Sequence, residues 1–267
     1  MHLHLVSDST GETVSHVARA SLVQFGDIHI EEHLWSMVRS DRQVEDILKD
    51  IAKKPGFVLY TLVDAHIQDP LVRGCKDLNI PCVSVLNPIV ENLRQYLGQE
   101  GSPRPGGQHV LDAEYFDRIA AMDFVLSHDD GQSAQTLNEA DVILIGVSRT
   151  SKTPTCIYLG NRGIKAANVP LVPGVGLPPE LLEVDKPLIV GITKDPRRLV
   201  EIRRQRLKIL NQDEHTHYVN LDMVSQEIND ARRLFSKYDW PVINVSRKSI
   251  EETSATVIQL LNRQMME

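Results

Sequence analysis

Val142-Ile143-Leu144-Ile145-Gly146-Val147-Ser148-Arg149-Thr150-Ser151-Lys152-Thr153-Pro154 is the stretch on which the reading of this 267-residue chain turns. Val142 to Ile145 is an apolar run of the kind that forms a buried strand, and Pro154 stands where the first turn of a helix tolerates proline. Between them lies a loop of small and hydroxylic residues ending in one lysine. A nucleotide phosphate needs inward-pointing backbone N–H groups, a lysine for its charge and a hydroxyl for Mg²⁺, and the pattern G-x-x-x-x-G-K-[ST] supplies all three at a helix N-terminus. Residues Gly146, Val147, Ser148, Arg149, Thr150, Ser151, Lys152 and Thr153 follow that pattern with one departure, Ser151 for the second glycine. Serine is small and carries a hydroxyl; with an ordinary negative φ at 151, glycine there would be tolerated and a bulky residue would crowd the phosphate. The competing reading is a plain βα turn with a solvent-facing lysine.

Outward from this stretch, short apolar runs alternate with amphipathic ones. Leu3–Val6, Ile28–Leu34, Phe57–Val63 and Cys82–Leu86 read as strands, with helices near 14–25, 42–53, 70–78 and 88–97. After a Gly/Pro-rich loop at 98–109 and a helix near 113–127, a polar stretch, Asp129 to Asn138, precedes a second series. It contains the strand Val142–Ile145 and a helix to about 163. Strands near 187–192, 217–220 and 241–245 and helices near 196–211, 222–237 and 249–264 follow. Strands separated by helices require crossovers, so the fold class is α/β: mostly parallel sheets in two βα domains, residues 1–135 and 136–267, the C-terminal one P-loop kinase-like. Ligands of such sheets collect beyond the carboxyl ends of the strands.

Composition narrows the classes of function. The chain is 42% hydrophobic and 24% charged, ordinary for a globular protein, and its formal charge is −7. That balance lacks the positive field of a nucleic-acid binder, so a phosphate site must be local. Three cysteines, Cys75, Cys82 and Cys156, without CxxC spacing disfavour a disulfide framework or structural zinc. The N-terminus shows no signal-peptide pattern and no stretch reaches membrane-span length, so the expectation is a cytoplasmic protein with no membrane or nucleic-acid partner.

Other residues are candidates. Ser7, Ser9, Thr10 and Gly11, after the first strand, could hold a second anion or merely cap a helix. His128-Asp129-Asp130-Gly131 offers carboxylates for Mg²⁺ or for taking a proton, and otherwise a polar turn. Asp195 is either a metal-side carboxylate or a helix N-cap ahead of Pro196. Arg197, Arg203 and Arg204, on a basic helix in an acidic protein, are candidate phosphate clamps or a solvated face. His2-x-His4 as a metal pair and Cys75 with Cys82 as a redox pair are set aside, the former because the sequence shows no downstream partner.

Ser7-Asp8-Ser9-Thr10-Gly11-Glu12-Thr13, His128-Asp129-Asp130-Gly131, Gly146 through Thr155 and Ser249-Ile250-Glu251-Glu252-Thr253 together resemble the motifs of the bifunctional kinase/phosphorylase regulatory proteins of pyruvate, phosphate dikinase and of phosphoenolpyruvate synthase. The resemblance covers essentially the whole chain. It implies ADP-dependent phosphorylation of an active-site threonine on the target, which inactivates it, and phosphate-dependent removal of that group with release of pyrophosphate. On this resemblance ADP is the donor, inorganic phosphate the co-substrate of the reverse reaction and the dikinase the partner, with the synthase as alternative target. Lys152 would neutralise the β-phosphoryl, Thr153 would ligate Mg²⁺, and Asp130 or Asp129, ahead of Asp195, would act as base. A non-catalytic ADP-sensing switch and a small-molecule kinase stay open beside it, as does a homodimer.

Overall fold

In the computed structural model, which describes residues 1–102, 104–107, 113–211 and 217–266, Val142–Val147 is a strand with all six residues buried. Its side chains divide between two cores. Ile143, Ile145 and Val147 join Leu199, Val224 and Phe235 on one face, while Val142 and Leu144 join Cys156, Leu159 and Val257 on the other. A parallel strand covered on both faces is apolar throughout, which is why this segment shows a continuous run and no alternation.

The chain separates into two units, Met1–Val110 and Leu111–Glu267. The first contains β1 (His2–Ser7), α1 (Glu12–Leu22), β2 (Glu31–Trp35), α2 (Asp41–Lys53), β3 (Gly56–Thr61), α3 (Ala65–Asp77), β4 (Cys82–Ser84) and α4 (Asn87–Leu97). The second contains α5 (Ala113–Ser127), β5 (Val142–Val147), α6 (Lys152–Gly160), β6 (Ala166–Leu171), α7 (Pro179–Glu183), β7 (Leu188–Thr193), α8 (Pro196–Ile209), α9 (Leu221–Lys237), β8 (Val242–Asn244) and α10 (Ile250–Gln264). The division comes ahead of residue 135 because α5 packs on α6 and β6 of the second unit. No helix among the described residues is long and apolar enough to cross a membrane.

Each unit is built on a four-stranded parallel sheet, in the orders β2-β1-β3-β4 and β6-β5-β7-β8. Relative to chain order both read second, first, third, fourth. The direction of winding therefore reverses beside the first strand of each sheet, and the loops after β1 and β5 emerge at that reversal, where open α/β sheets form their ligand crevice. The two hydroxyl-rich loops thus hold equivalent topological positions, although no sequence period relates them.

Two strand expectations in the second unit are corrected. Residues His217–Val219 form a 3₁₀ turn and not a strand; Val219 is apolar because it closes the core under α8 and α9. The strand that completes the sheet instead is β6, Ala-Ala-Asn-Val-Pro-Leu, whose Asn and Pro are depleted in strands and mask it from a propensity reading. Pro170 is tolerated because β6 is an edge strand paired only with β5.

The basic helix α8 does not present all its arginines to a ligand. Arg203 is 1% exposed. Its Nη2 lies 2.7 Å from Glu227 Oε2 and donates to the Ser148 carbonyl at 3.3 Å, its Nη1 donates to the Tyr218 carbonyl at 3.1 Å, and the guanidinium stacks on the Tyr218 ring at 4.4 Å. Arg203 therefore anchors the backbone of the loop between β5 and α6 instead of reaching into it, whereas Arg197 and Arg204 are exposed. Removing one partner of a buried pair leaves an uncompensated charge, so Glu227→Gln is expected to destabilise the fold by about 3 kcal/mol. Urea denaturation reads this as a lowered midpoint, and an unchanged midpoint would remove the pair from the forces holding the loop.

Candidate functional site

Between β5 and α6 the backbone turns through two residues of positive φ, Arg149 at 71° and Ser151 at 68°. The ordinary negative φ considered for Ser151 is thereby corrected: the serine adopts the left-handed conformation that a glycine would adopt freely. Thr150, fully buried, clamps the turn by donating from Oγ1 to the Val147 carbonyl at 2.9 Å. Gly146 has a packing reason, since a Cβ there would collide with the Ile192 backbone carbonyl of the adjacent β7. Helix α6 starts at Lys152 with no side-chain cap, and its first amides, like those of any α-helix, have no partner within the helix. Helices α2, α3, α8, α9 and α10 are instead capped by Ser40, Asp64, Asp195, Asn220 and Ser249.

Two buried lysines converge on this turn. Lys152 is 5% exposed and its Nζ donates to the Val147 carbonyl at 3.1 Å. Burial pushes its ammonium down to about 8, with Asp130 and Asp129 pulling the other way. Lys194, on the segment leaving β7, is also buried, and its Nζ reaches Ser151 Oγ at 3.5 Å. Burial lowers its ammonium as well, reinforced by Arg198. Neither lysine is in a salt bridge among the described residues. Lys194 escaped the sequence reading, although a lysine directly beyond an apolar strand was signal enough to include it.

The acidic motif comes to the same place. Asp129–Gly131 is a single 3₁₀ turn in which Asp130 has φ 50°. Thr153 Oγ1 donates to Asp129 Oδ1 at 2.9 Å. Asn168 of β6, 1% exposed, places its Nδ2 at 2.5 Å from Asp129 Oδ1, 3.3 Å from Asp130 Oδ1 and 3.0 Å from Thr153 Oγ1. Its backbone N–H also donates to the His128 carbonyl at 3.0 Å. One amide thus gathers both carboxylates and the helix hydroxyl, and the sequence reading missed it along with its strand. His128 is a support: its ring stacks on Phe124 at 3.7 Å, Nδ1 donates to the Phe124 carbonyl and Nε2 meets Thr136 Oγ1 at 2.7 Å. Asp195 caps α8, its Oδ1 accepting from the amides of Arg197 and Arg198, and Ser249 forms a capping box with Glu252 at the start of α10.

The result is a cleft of about 280 Å³ walled by Asp130, Ser148, Arg149, Ser151, Lys152 and Thr153. Lys152 gives it a cationic side and Asp130 a carboxylate. That arrangement can hold a phosphate and place a base beside it.

The equivalent loop of the first unit is built differently. Gly11, at φ 84°, precedes α1 without a side-chain cap, so neither Ser9 nor Thr10 caps the helix. The buried Asp8 carboxylate accepts from the Val63 amide at 2.8 Å, and burial raises it above the ordinary carboxylate range. The adjoining cleft, about 120 Å³, is lined by Ser7, Ser9, Thr10, Gly11, Thr61 and Arg104 among others. It is less than half the volume of the cleft at α6.

Residues 3–258 match the family model described as kinase/pyrophosphorylase. A protein of Paramagnetospirillum magneticum is 54% identical over 264 residues, covering 99% of this chain and 85% of that relative. One of Caulobacter vibrioides is 53% identical over 261 residues, covering 98% and 83%, and one of Rhodospirillum rubrum 49% over 260, covering 97% and 94%. All three carry the name pyruvate, phosphate dikinase regulatory protein. With a match that spans nearly its full length and relatives about half identical to it, this chain belongs to the kinase/pyrophosphorylase family, enzymes that handle phosphoryl groups.

Proposed function

We propose that the chain phosphorylates a threonine of pyruvate, phosphate dikinase from ADP and removes that group with inorganic phosphate. The observation that carries the reading is the meeting of Lys152, Thr153, Asp129 and Asp130 at the uncapped head of α6, in a family whose members near this chain are named for that enzyme's regulation. In the forward direction the threonine oxygen attacks the β-phosphorus of ADP, the bond to the bridging oxygen breaks, AMP leaves and the hydroxyl proton passes to a carboxylate. In the reverse direction an oxygen of inorganic phosphate attacks the phosphothreonine phosphorus, the threonine oxygen leaves and regains a proton, and pyrophosphate departs.

Such transfers are mostly positioning and charge neutralisation. The α6 amides and Lys152 bind the diphosphate, and Lys194 adds a second cation from β7. Asp130 lines the cleft and is the base, whereas Asp129 is held by Thr153 and Asn168 and fixes the geometry. Thr153 Oγ1 and the two carboxylates are hard oxygen donors of the kind Mg²⁺ takes, so they fit that ion. When bound, it supplies further positive charge to the phosphates.

Lys152→Ala is expected to cut transfer about 100-fold to 1000-fold, a loss of ~3 to 4 kcal/mol, with the fold intact. A label on the β-phosphate of ADP, followed into the dikinase, measures it; an unchanged rate would move the phosphate elsewhere. The same lysine sets a pH dependence. In the free protein its charge is lost above about pH 8, and the ADP anion favours the charged form. Affinity should therefore be full below that pH and fall above it by at most about tenfold per unit. Lys152→Arg should flatten the profile.

At Ser151 the left-handed strain of about 1 kcal/mol is offset by the greater freedom of an unfolded glycine, so Ser151→Gly should preserve both stability and ADP binding. Ser151→Val, β-branched at positive φ, should lose both in urea and ADP titrations. Binding retained in the valine variant would argue that the turn does not hold the phosphates.

Asp130→Asn should lower the forward rate by about 100-fold or more while ADP affinity changes little, since a base acts on the hydroxyl and not on the nucleotide. A parallel loss of affinity recovered by added Mg²⁺ would make Asp130 a metal holder instead, and full activity would make the motif a structural turn.

A further inference from the structure

At the amino-terminal end of the first sheet, opposite the strand ends that carry the hydroxyl loop, three ligand-type side chains converge that the proposed phosphoryl chemistry does not use. β1 and β2 pair in parallel with His2 opposite Glu31 and His4 opposite His33. Side chains two apart on a strand share a face, so all four lie on the same side of the sheet. His2 Nδ1 is 3.1 Å from His33 Nε2, Glu31 Oε2 is 3.5 Å from His2 Nδ1, and Glu31 Oε1 is 3.5 Å from His33 Nε2. Among the described residues, this is the one trio of His, Cys, Asp or Glu whose ligand atoms all lie within 4.8 Å of one another.

We propose that His2, Glu31 and His33 bind a divalent transition-metal ion of zinc-like preference, clamping the edge strand β2 to β1. The spacing is the argument. Zinc takes nitrogen and carboxylate oxygen at about 2.0 to 2.2 Å in a tetrahedron, whose ligand atoms then stand about 3.3 to 3.6 Å apart. The imidazole nitrogens stand 3.1 Å apart and each lies 3.5 Å from a Glu31 oxygen, Oε2 for His2 and Oε1 for His33, so each separation taken singly is close to a tetrahedral edge, and a turn of the Glu31 carboxylate brings one oxygen to both rings. Hydrogen bonding accounts for them less well: one N–H···N contact joins the imidazoles, and 3.5 Å is long for a charge-assisted bond from either ring to the carboxylate. Two imidazoles and a carboxylate also make a mixed donor set that suits zinc and its neighbours better than Mg²⁺ or Ca²⁺.

The surroundings prepare the site. His4, which sequence spacing paired with His2, is no ligand: its Nε2 donates to the Lys54 carbonyl at 2.9 Å and its Nδ1 accepts from Trp35 Nε1 at 3.4 Å. It stacks on the His33 ring at 4.8 Å and so fixes its plane, the service that outer residues give to metal-bound histidines. Lys54 Nζ, 2.9 Å from Glu31 Oε1, is the rival cation that the metal must displace or share. Three protein ligands leave a fourth position for water. β2 gains most from such a clamp, because it pairs with β1 alone and three of its five residues are exposed.

The full-length protein, stripped by a chelator, is titrated with Co²⁺ and then Zn²⁺. The expected result is one equivalent of Co²⁺ with the intense visible bands of a four-coordinate site, bleached by Zn²⁺, and a Zn²⁺-dependent rise in Tm. His2→Gln and Glu31→Gln, at partly exposed positions that leave the fold intact by circular dichroism, should each weaken binding by at least about 10-fold. Absence of saturable binding, only the weak bands of six-coordinate cobalt, or affinity unchanged in both variants would overturn the site. Because six-coordinate bands are what the oxygen donors at Thr153 would give, the spectrum separates this site from the phosphate cleft.

Discussion

Two lysine ammonium groups are buried beside one uncapped helix N-terminus, and the second unit is organised around that constraint. Lys152 and Lys194 give up hydration without a salt bridge among the described residues, and the first turn of α6 adds the positive end of its dipole. Such a concentration of positive charge is eased in two ways, by loss of a proton and by carboxylates close enough to moderate it. Asp129 and Asp130 supply the carboxylates, and they raise the charge-holding tendency of Lys152 against its burial.

The architecture brings these opposed charges together from four segments. β5 delivers the loop, α6 the lysine and hydroxyl, β7 the second lysine, and β6 carries Asn168, which tethers the Asp129–Gly131 turn. Rigidity behind the turn comes from Arg203, which is buried and bonds the Ser148 carbonyl while paired with the partly exposed Glu227. The arginine that resembles a substrate clamp in sequence is therefore a structural member. Burial, which sequence does not display, distinguishes the two roles.

The central strand and the turn following it were legible because they obey local rules: a continuous apolar run, then small residues, then a lysine at a helix start. The α/β class followed from alternation alone. What escaped was β6, since Ala-Ala-Asn-Val-Pro-Leu lacks strand propensity and is held in place only by its pairing with β5. With β6 went Asn168, whose role depends on tertiary position. His217–Val219 failed in the converse way, its apolar residue serving a core and not a sheet. The conformation of Ser151 was likewise beyond local rules, because a serine at φ 68° is imposed by the surrounding turn and not preferred by the residue.

That the two sheets share one strand order sharpens what topology does and does not confer. In both units a hydroxyl-bearing loop leaves the first strand at the winding reversal and enters a helix without a side-chain cap. The backbone offer to an anion is therefore similar. The side chains are not: the second loop meets two buried lysines, whereas the first encloses the Asp8 carboxylate, tied to the Val63 amide. Burial raises Asp8 although the Arg39 guanidinium nearby pulls the other way. The parallel-sheet crevice is thus a location shared by both units, and the side chains within it set what each can hold.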